Sequence, residues 1–206
     1  MMKNVTLSAL LIMAVIFAGS CSKDDDKNPS PEPTPQTVTV IKDLPADPVV
    51  EDPDGGRPSG GTGEFTLFRF SDSSIVEISD SAAGKWDIGF QGTTVILNSN
   101  IHGSGNVTGQ VVKNTLFEDL TTIPGGSFLS DSTSGNVFDG WYEYNMENHT
   151  INPNPGFLLV IQTHDDKYVK VKIVSYYKGA PEENLSDAPS RYYTFKYLFL
   201  SEENEQ

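Results

Sequence analysis

One side chain of this sequence combines metal-binding chemistry with an unusual position. Of the four methionines, Met1, Met2 and Met13 lie in the apolar N-terminal segment, so Met146 is the only one that follows it. It stands between an asparagine and a glutamate, where a core methionine is not expected. Its thioether is a soft donor of the kind that binds haem iron or copper(I). The alternative is a methionine that fills a gap or is simply exposed, and residue type alone favours that second interpretation.

The three histidines, His102, His149 and His164, lie on separate predicted loops without the spacing of a metal-binding motif. A zinc site built from them with carboxylates stays open. The sequence contains no Gly-x-Ser-x-Gly elbow, no His-Glu-x-x-His and no phosphate-binding glycine loop. The paired glutamates at 182–183 and 202–203 lie in charge runs typical of solvated surface. We therefore expect a protein without catalytic activity.

The N-terminal segment predicts where the protein is found. Lys3 precedes an apolar run over residues 5–18, and small residues stand directly before Cys21, the only cysteine. This pattern predicts a lipoprotein signal peptide over residues 1–20, with Cys21 as the acylated new N-terminus. A secreted protein with one free thiol is the alternative. The acidic cluster 24–26 resembles the signal that sends lipoproteins of Gram-negative anaerobes to the outer face of the outer membrane, although it is also typical of a solvated tether.

Residues 21–63 are predicted to be the acylated cysteine followed by a flexible tether, because proline, aspartate and glycine dominate them. A β-prone run at 37–41 interrupts this segment and could return to the domain as an edge strand. Residues 64–206 have the length of one ordinary domain. A net charge of -14 and a pI near 4.4 argue against binding to nucleic acid or to anionic lipid.

The segments that position these residues show the two-residue alternation of apolar and polar side chains that is typical of strands. Apolar and polar residues alternate over 86–90, 169–173 and 193–199, which predicts half-buried antiparallel strands. The continuous apolar run 157–161 predicts a more central strand. An aromatic strand over 141–144 runs into the polar loop that holds Met146. Only a short piece near Leu116 to Leu120 is considered for a helix. The sequence therefore predicts a mostly β domain.

Several motifs, taken in order, resemble one known family. The segments are 84–90 (Gly-Lys-Trp-Asp-Ile-Gly-Phe), 98–99 with 103–105, 140–144 (Gly-Trp-Tyr-Glu-Tyr), and 167–172 leading into 175–177. In order and spacing they resemble the HmuY family of surface haem-binding lipoproteins, or haemophores, of Gram-negative anaerobes. The resemblance covers nearly all of the predicted domain.

The resemblance implies an all-β antiparallel fold shaped like a hand, with hairpin fingers around a ligand cleft. It implies that haem (iron protoporphyrin IX) is taken from host haemoproteins and passed to a TonB-dependent outer-membrane receptor. Family members ligate the iron through two axial histidines or methionines, and Met146 stands at one ligand position. The cofactor-binding residues implied here are Met146, His149, Trp141 and Tyr144. Aromatic walls for the macrocycle would come from Phe128, Phe138, Trp141, Tyr142 and Tyr144.

The second axial ligand is where this chain departs from the family. In the family it lies between the Thr-Thr-x-Pro segment, here 121–124, and the Gly-Trp motif, but residues 125–139 contain neither histidine nor methionine. Three alternatives follow: one protein ligand only, a contribution from His149 or His102, or a ligand other than haem. In the last case the protein would be an HmuY-like surface interaction module that has lost haem ligation.

Overall fold

The regular structure consists almost entirely of strands, as alternation predicts. The computed structural model describes residues 37–49 and 60–201, and Cys21, the signal peptide and the acidic cluster lie outside them. The elements in these ranges are β1 (Thr39–Pro45), β2 (Thr66–Arg69), β3 (Ser74–Val76), a 3-10 helix (Ile78–Ala83), β4 (Ile88–Gln91), β5 (Thr94–Leu97), β6 (Thr108–Val112), β7 (Tyr142–Asn145), β8 (Thr150–Pro153), β9 (Leu158–Gln162), β10 (Tyr168–Tyr177), a second 3-10 helix (Leu185–Asp187) and β11 (Ser190–Leu200). The all-β antiparallel prediction is confirmed.

Three sheets organise these strands. The largest has five strands in the order β1-β11-β10-β9-β6, the second has four in the order β3-β2-β4-β5, and β7 and β8 pair separately. All pairs are antiparallel. Within the described ranges no helix is long and apolar enough to cross a membrane. The piece near Leu116 to Leu120 forms a turn and not a helix.

An aromatic cluster joins the two larger sheets. Phe195 of β11 packs edge-on against Phe68 of β2, with ring centroids 5.4 Å apart, and stacks on Phe90 of β4 at 5.6 Å. Such aromatic pairs add about 0.5–1.5 kcal/mol each beyond the burial of their area. β9 is central, because it pairs with β6 on one side and β10 on the other, and its four apolar residues are buried. The prediction of a central strand at this run is confirmed.

Lys170 does not follow the alternation of its strand. The pattern places it on the solvated face of β10, yet it is 2% exposed. Its ammonium donates to the carbonyl oxygens of Phe117 (2.5 Å) and Leu120 (2.7 Å) and lies 4.4 Å from the Phe117 ring. Burial lowers the pKa of this ammonium. The turn at 117–119 covers the outer face of the sheet and is held there by the lysine.

The β-prone run at 37–41 contributes to an edge strand of the five-stranded sheet, as the sequence analysis left open. Strand β1 pairs with β11, with Ile41 opposite Phe195 and Leu44 opposite Tyr193. Leu44 is buried in the main core, and Ile41 packs against it. The segment predicted as a tether therefore contains an integral edge strand, because Ile41 and Leu44 pack into the core of the domain.

Leu44→Ala is expected to lower the free energy of unfolding by about 2–5 kcal/mol, since it removes a buried side chain and leaves a cavity. Val40→Ala lies on the same strand but is half exposed, and we expect a change within about 0.5 kcal/mol. Urea denaturation of both variants measures the difference. Equal effects at the two positions would show that β1 is not part of the folded unit.

Candidate functional site

The β7–β8 hairpin carries most of the predicted ligand residues. Asn145 pairs with Thr150, and the turn between them consists of residues 146–149, with Met146 first and His149 last. His149 has φ of 57°, in the left-handed region, which lets the chain reverse within this short turn. The hairpin rests on β10, because the Ile151 amide donates to the Tyr177 hydroxyl at 2.8 Å.

Met146 is the most exposed large apolar side chain among the described residues, with 79% of its surface accessible. Met146 therefore does not fill a gap in the core, and its exposure agrees both with a ligand role and with a simply exposed side chain. A methionine in contact with solvent gains nothing from burial and presents its sulfur freely. Its thioether can coordinate a metal without disturbing the packed strands.

His149 is also exposed, and one ring nitrogen has a partner. Its Nδ1 lies 2.6 Å from the Tyr144 hydroxyl, with the two rings 6.0 Å apart. Among the described residues, none forms a hydrogen bond with Nε2. When Nδ1 carries the proton and donates to the phenol oxygen, the lone pair of Nε2 is free to bind a metal. A fixed Nδ1 partner is the usual arrangement for a metal-binding histidine.

A groove of about 730 Å³ lies beside this turn. Its lining contains Tyr144 and Met146 from the predicted site, and the full set is Glu143, Tyr144, Asn145, Met146, Glu147, Asn152, Pro153, Asn154 and Pro155. Tyr144, 47% exposed, offers an aromatic surface there. The two glutamates are the only acidic or basic side chains in this lining, so the groove is acidic.

Trp141 lies in the core and not in the groove. It is 2% exposed, its ring packs against Tyr142, Tyr176 and Tyr193, and its Nε1 donates to the Thr93 carbonyl at 2.9 Å. In this position Trp141 has a structural role at the base of the hairpin. Two further aromatic residues predicted to line the ligand cleft lie as follows. Phe138 is in the core, and the ring centroid of Phe128 lies 5.2 Å from that of Tyr168.

His102 forms its hydrogen bond with another loop, away from the β7–β8 turn. Its Nε2 lies 2.9 Å from Asn136 Oδ1 and 3.9 Å from Asp131 Oδ2, and the side chain is 24% exposed. Asp131 is buried and accepts hydrogen bonds from the Leu97 and Val137 amides, and burial raises its pKa. His102 does not line the groove beside Met146. Tyr144 contacts His149 and lines the groove with Met146, whereas His149 is not part of the groove lining and His102 lies with the loop that contains Asn136.

The structure also shows a buried hydrogen bond between an aspartate and a histidine that sequence reasoning missed. Asp87 is fully buried, and its Oδ1 accepts hydrogen bonds from the backbone amide and Nδ1 of His164, both at 2.8 Å. Its Oδ2 accepts from the Phe70 amide at 2.8 Å. The pair ties the four-stranded sheet to the β9–β10 turn. Across the described ranges no three side chains of the His, Cys, Asp and Glu types form a group that could hold a metal ion.

No protein-family model matches the chain, and no curated protein does. Among solved structures, the chain is similar to the apo HmuY analog of Tannerella forsythia, with a TM-score of 0.48 and 14% identity over 81% of this chain and 96% of that one.

Two further solved structures are similar to the same degree. An HmuY-like haem-binding protein of Bacteroides vulgatus gives a TM-score of 0.48 and 14% identity over 67% of this chain and 86% of that one. Apo PinO of Porphyromonas gingivitis gives a TM-score of 0.49 and 13% identity over 81% of this chain and 98% of that one. Two of these structures carry the name of HmuY, the family that the sequence motifs resemble.

Proposed function

We propose that this protein is a haem-binding lipoprotein of the cell surface. Cys21 would carry the lipid that anchors it to the outer membrane, facing the exterior. It would take haem from host haemoproteins and pass it to a TonB-dependent receptor, as the family resemblance implies. The observation that carries this proposal is the β7–β8 turn, where an exposed thioether and an exposed imidazole stand together.

The donor set of this turn fits haem iron. Thioether sulfur and imidazole nitrogen are both established axial ligands of haem, and haem when bound would supply the iron that the protein carries. Tyr144 offers an aromatic surface next to these donors, which suits a flat apolar macrocycle. The carboxylates of Glu143 and Glu147 would repel the anionic propionate groups of haem. This repulsion would limit the orientations in which haem binds in the groove.

Met146 and His149 belong to the same short turn, so one of them, but not both, would hold the iron of haem. Residues 125–139 contribute neither histidine nor methionine, and His102 lies with Asn136. We therefore propose that this chain holds haem through a single protein ligand from the β7–β8 turn.

Titration of the purified protein with haemin, followed by visible absorption, tests the proposal. We expect a shifted Soret band that saturates at one haem per chain in the wild type. His102→Ala, which alters a histidine outside the turn, is expected to give the same titration and serves as the control. A spectrum equal to that of free haemin at every addition would instead support a surface interaction module that has lost haem ligation.

A further inference from the structure

The two edges of the five-stranded sheet differ in how they are covered. At one edge, Gly109 of β6 exchanges two backbone hydrogen bonds of 2.8 Å with Leu129. At the other edge, β1 pairs with β11 on one side only. Among the described residues, none forms a backbone hydrogen bond with the outer side of residues 37–41, which we call the free edge. Such an edge presents N–H and C=O groups that can pair with another strand.

The free edge lacks the features that normally protect an edge strand. It reads Thr-Val-Thr-Val-Ile, without charge or proline, and its two valines, Val38 and Val40, are 44% and 50% exposed. Protection begins directly after it, because Lys42 is exposed and the pairing with β11 becomes irregular after Ile41. Charged residues and bulges block edge pairing. Only the first part of β1 is therefore open to a second strand.

A second copy of this chain is the occupant that fits the free edge. With a net charge of -14, two copies repel each other except where their surfaces lack carboxylates. The free edge is uncharged and rich in β-branched residues, so it suits pairing with its own sequence. The preceding segment of the same chain fits less well, because alternate prolines at 29–35 favour polyproline II, a conformation without backbone pairing.

An antiparallel pairing centred on Thr39 matches the free edge to itself. In this register Thr39 lies opposite Thr39 of the second copy, and Val38 lies opposite Val40. Residues directly opposite each other share one face of a sheet, so the valines of both copies form a single apolar row. Val38 already lines a small cavity with Leu198 of β11, so this row continues onto the existing sheet.

We propose that two copies of this chain associate through the free edge, paired about Thr39, so that their five-stranded sheets become one continuous sheet. Few residue pairs form this interface, and small interfaces are typical of weak, reversible association. The association does not depend on haem binding, because no residue of the β7–β8 turn takes part in it.

Disulfide formation tests the register. We use the full chain with Cys21→Ser in mild detergent, so that an introduced cysteine is the only thiol. Opposed Cα atoms in an antiparallel pair lie about 4.5–5.5 Å apart, a distance that a disulfide spans. In the proposed register the copies of residue 39 are opposed, whereas those of residue 42 lie about 20 Å apart along the strands. Thr39→Cys is therefore expected to form a covalent dimer about tenfold faster than the more exposed Lys42→Cys. Equal rates would overturn the proposal.

Sedimentation equilibrium over a concentration series tests the association without a cross-link. We expect the apparent mass of the Cys21→Ser chain to rise with concentration toward that of a dimer. Val40→Lys, which places a charge in the apolar row, is expected to remain monomeric. Ile75→Lys is the matched control, because Ile75 is 51% exposed on β3 at an edge of the other sheet, and it should associate as the parent does. A monomeric parent, or equal association of the two lysine variants, would contradict the proposal whatever the haemin titration shows.

Discussion

Asp87→Ala is expected to lower the free energy of unfolding by about 3–5 kcal/mol, a large share of the stability of an ordinary domain. The change leaves three donors without an acceptor: the Phe70 amide, the His164 amide and His164 Nδ1. Each buried group that loses its partner costs about 1–3 kcal/mol, and the aspartate itself is fully buried. Urea denaturation monitored by tryptophan fluorescence measures the loss.

Asp87→Asn is the matched control, because it keeps the shape and one carbonyl oxygen as an acceptor. We expect it to cost less than Asp87→Ala, since only part of the hydrogen bonding is lost. His164→Ala should also cost less, because the Phe70 amide keeps its acceptor. A loss below about 1 kcal/mol in Asp87→Ala would show that the pair does not hold the sheet and the turn together.

Removal of Met146, a candidate haem ligand of the β7–β8 turn, is expected to have a large effect on haem binding. Met146→Ala should weaken the binding of reduced haem most, because a neutral thioether stabilises iron(II) relative to iron(III) more than imidazole does. The fold should remain intact, since the side chain is 79% exposed and contributes nothing to the core. Parallel titrations with haemin and with dithionite-reduced haem measure the effect in each iron state.

The strands could be predicted because their pattern is local. The apolar run at 157–161 and the alternation in β10 and β11 depend only on neighbours in sequence, and these elements stand where they were predicted. The edge strand β1 was visible in the run at 37–41, but its membership of the core depends on β11, which lies more than a hundred residues later. Composition alone places the run in a tether.

The burial of two charged residues could not be predicted, because distant segments cause it. Alternation places Asp87 and Lys170 on solvated faces, yet both are buried. Asp87 is covered by the β9–β10 turn, which brings His164 to it. Lys170 is covered by the turn that contains Phe117. In both cases hydrogen bonds with residues distant in sequence offset the free-energy cost of burying the charged group.

The candidate site was predicted in part. Met146 and His149 were identified by residue type and motif position, and the four-residue turn explains why they stand together. The Tyr144 partner of His149 follows from the hairpin register, which the sequence does not specify. Trp141 was placed near the ligand because it is close in sequence, but its ring turns into the core where three tyrosines surround it.

The visible spectrum of the Met146→Ala, His149→Ala double variant during haem titration tests the central claim most directly. Loss of an outer-shell partner alone changes metal affinity about 10–100-fold, so loss of both candidate ligands should weaken haem binding by about 100-fold or more. We predict that the double variant gives the spectrum of free haem in both iron states while its unfolding midpoint matches the wild type. A Soret band and affinity equal to those of the wild type would contradict haem ligation by the β7–β8 turn.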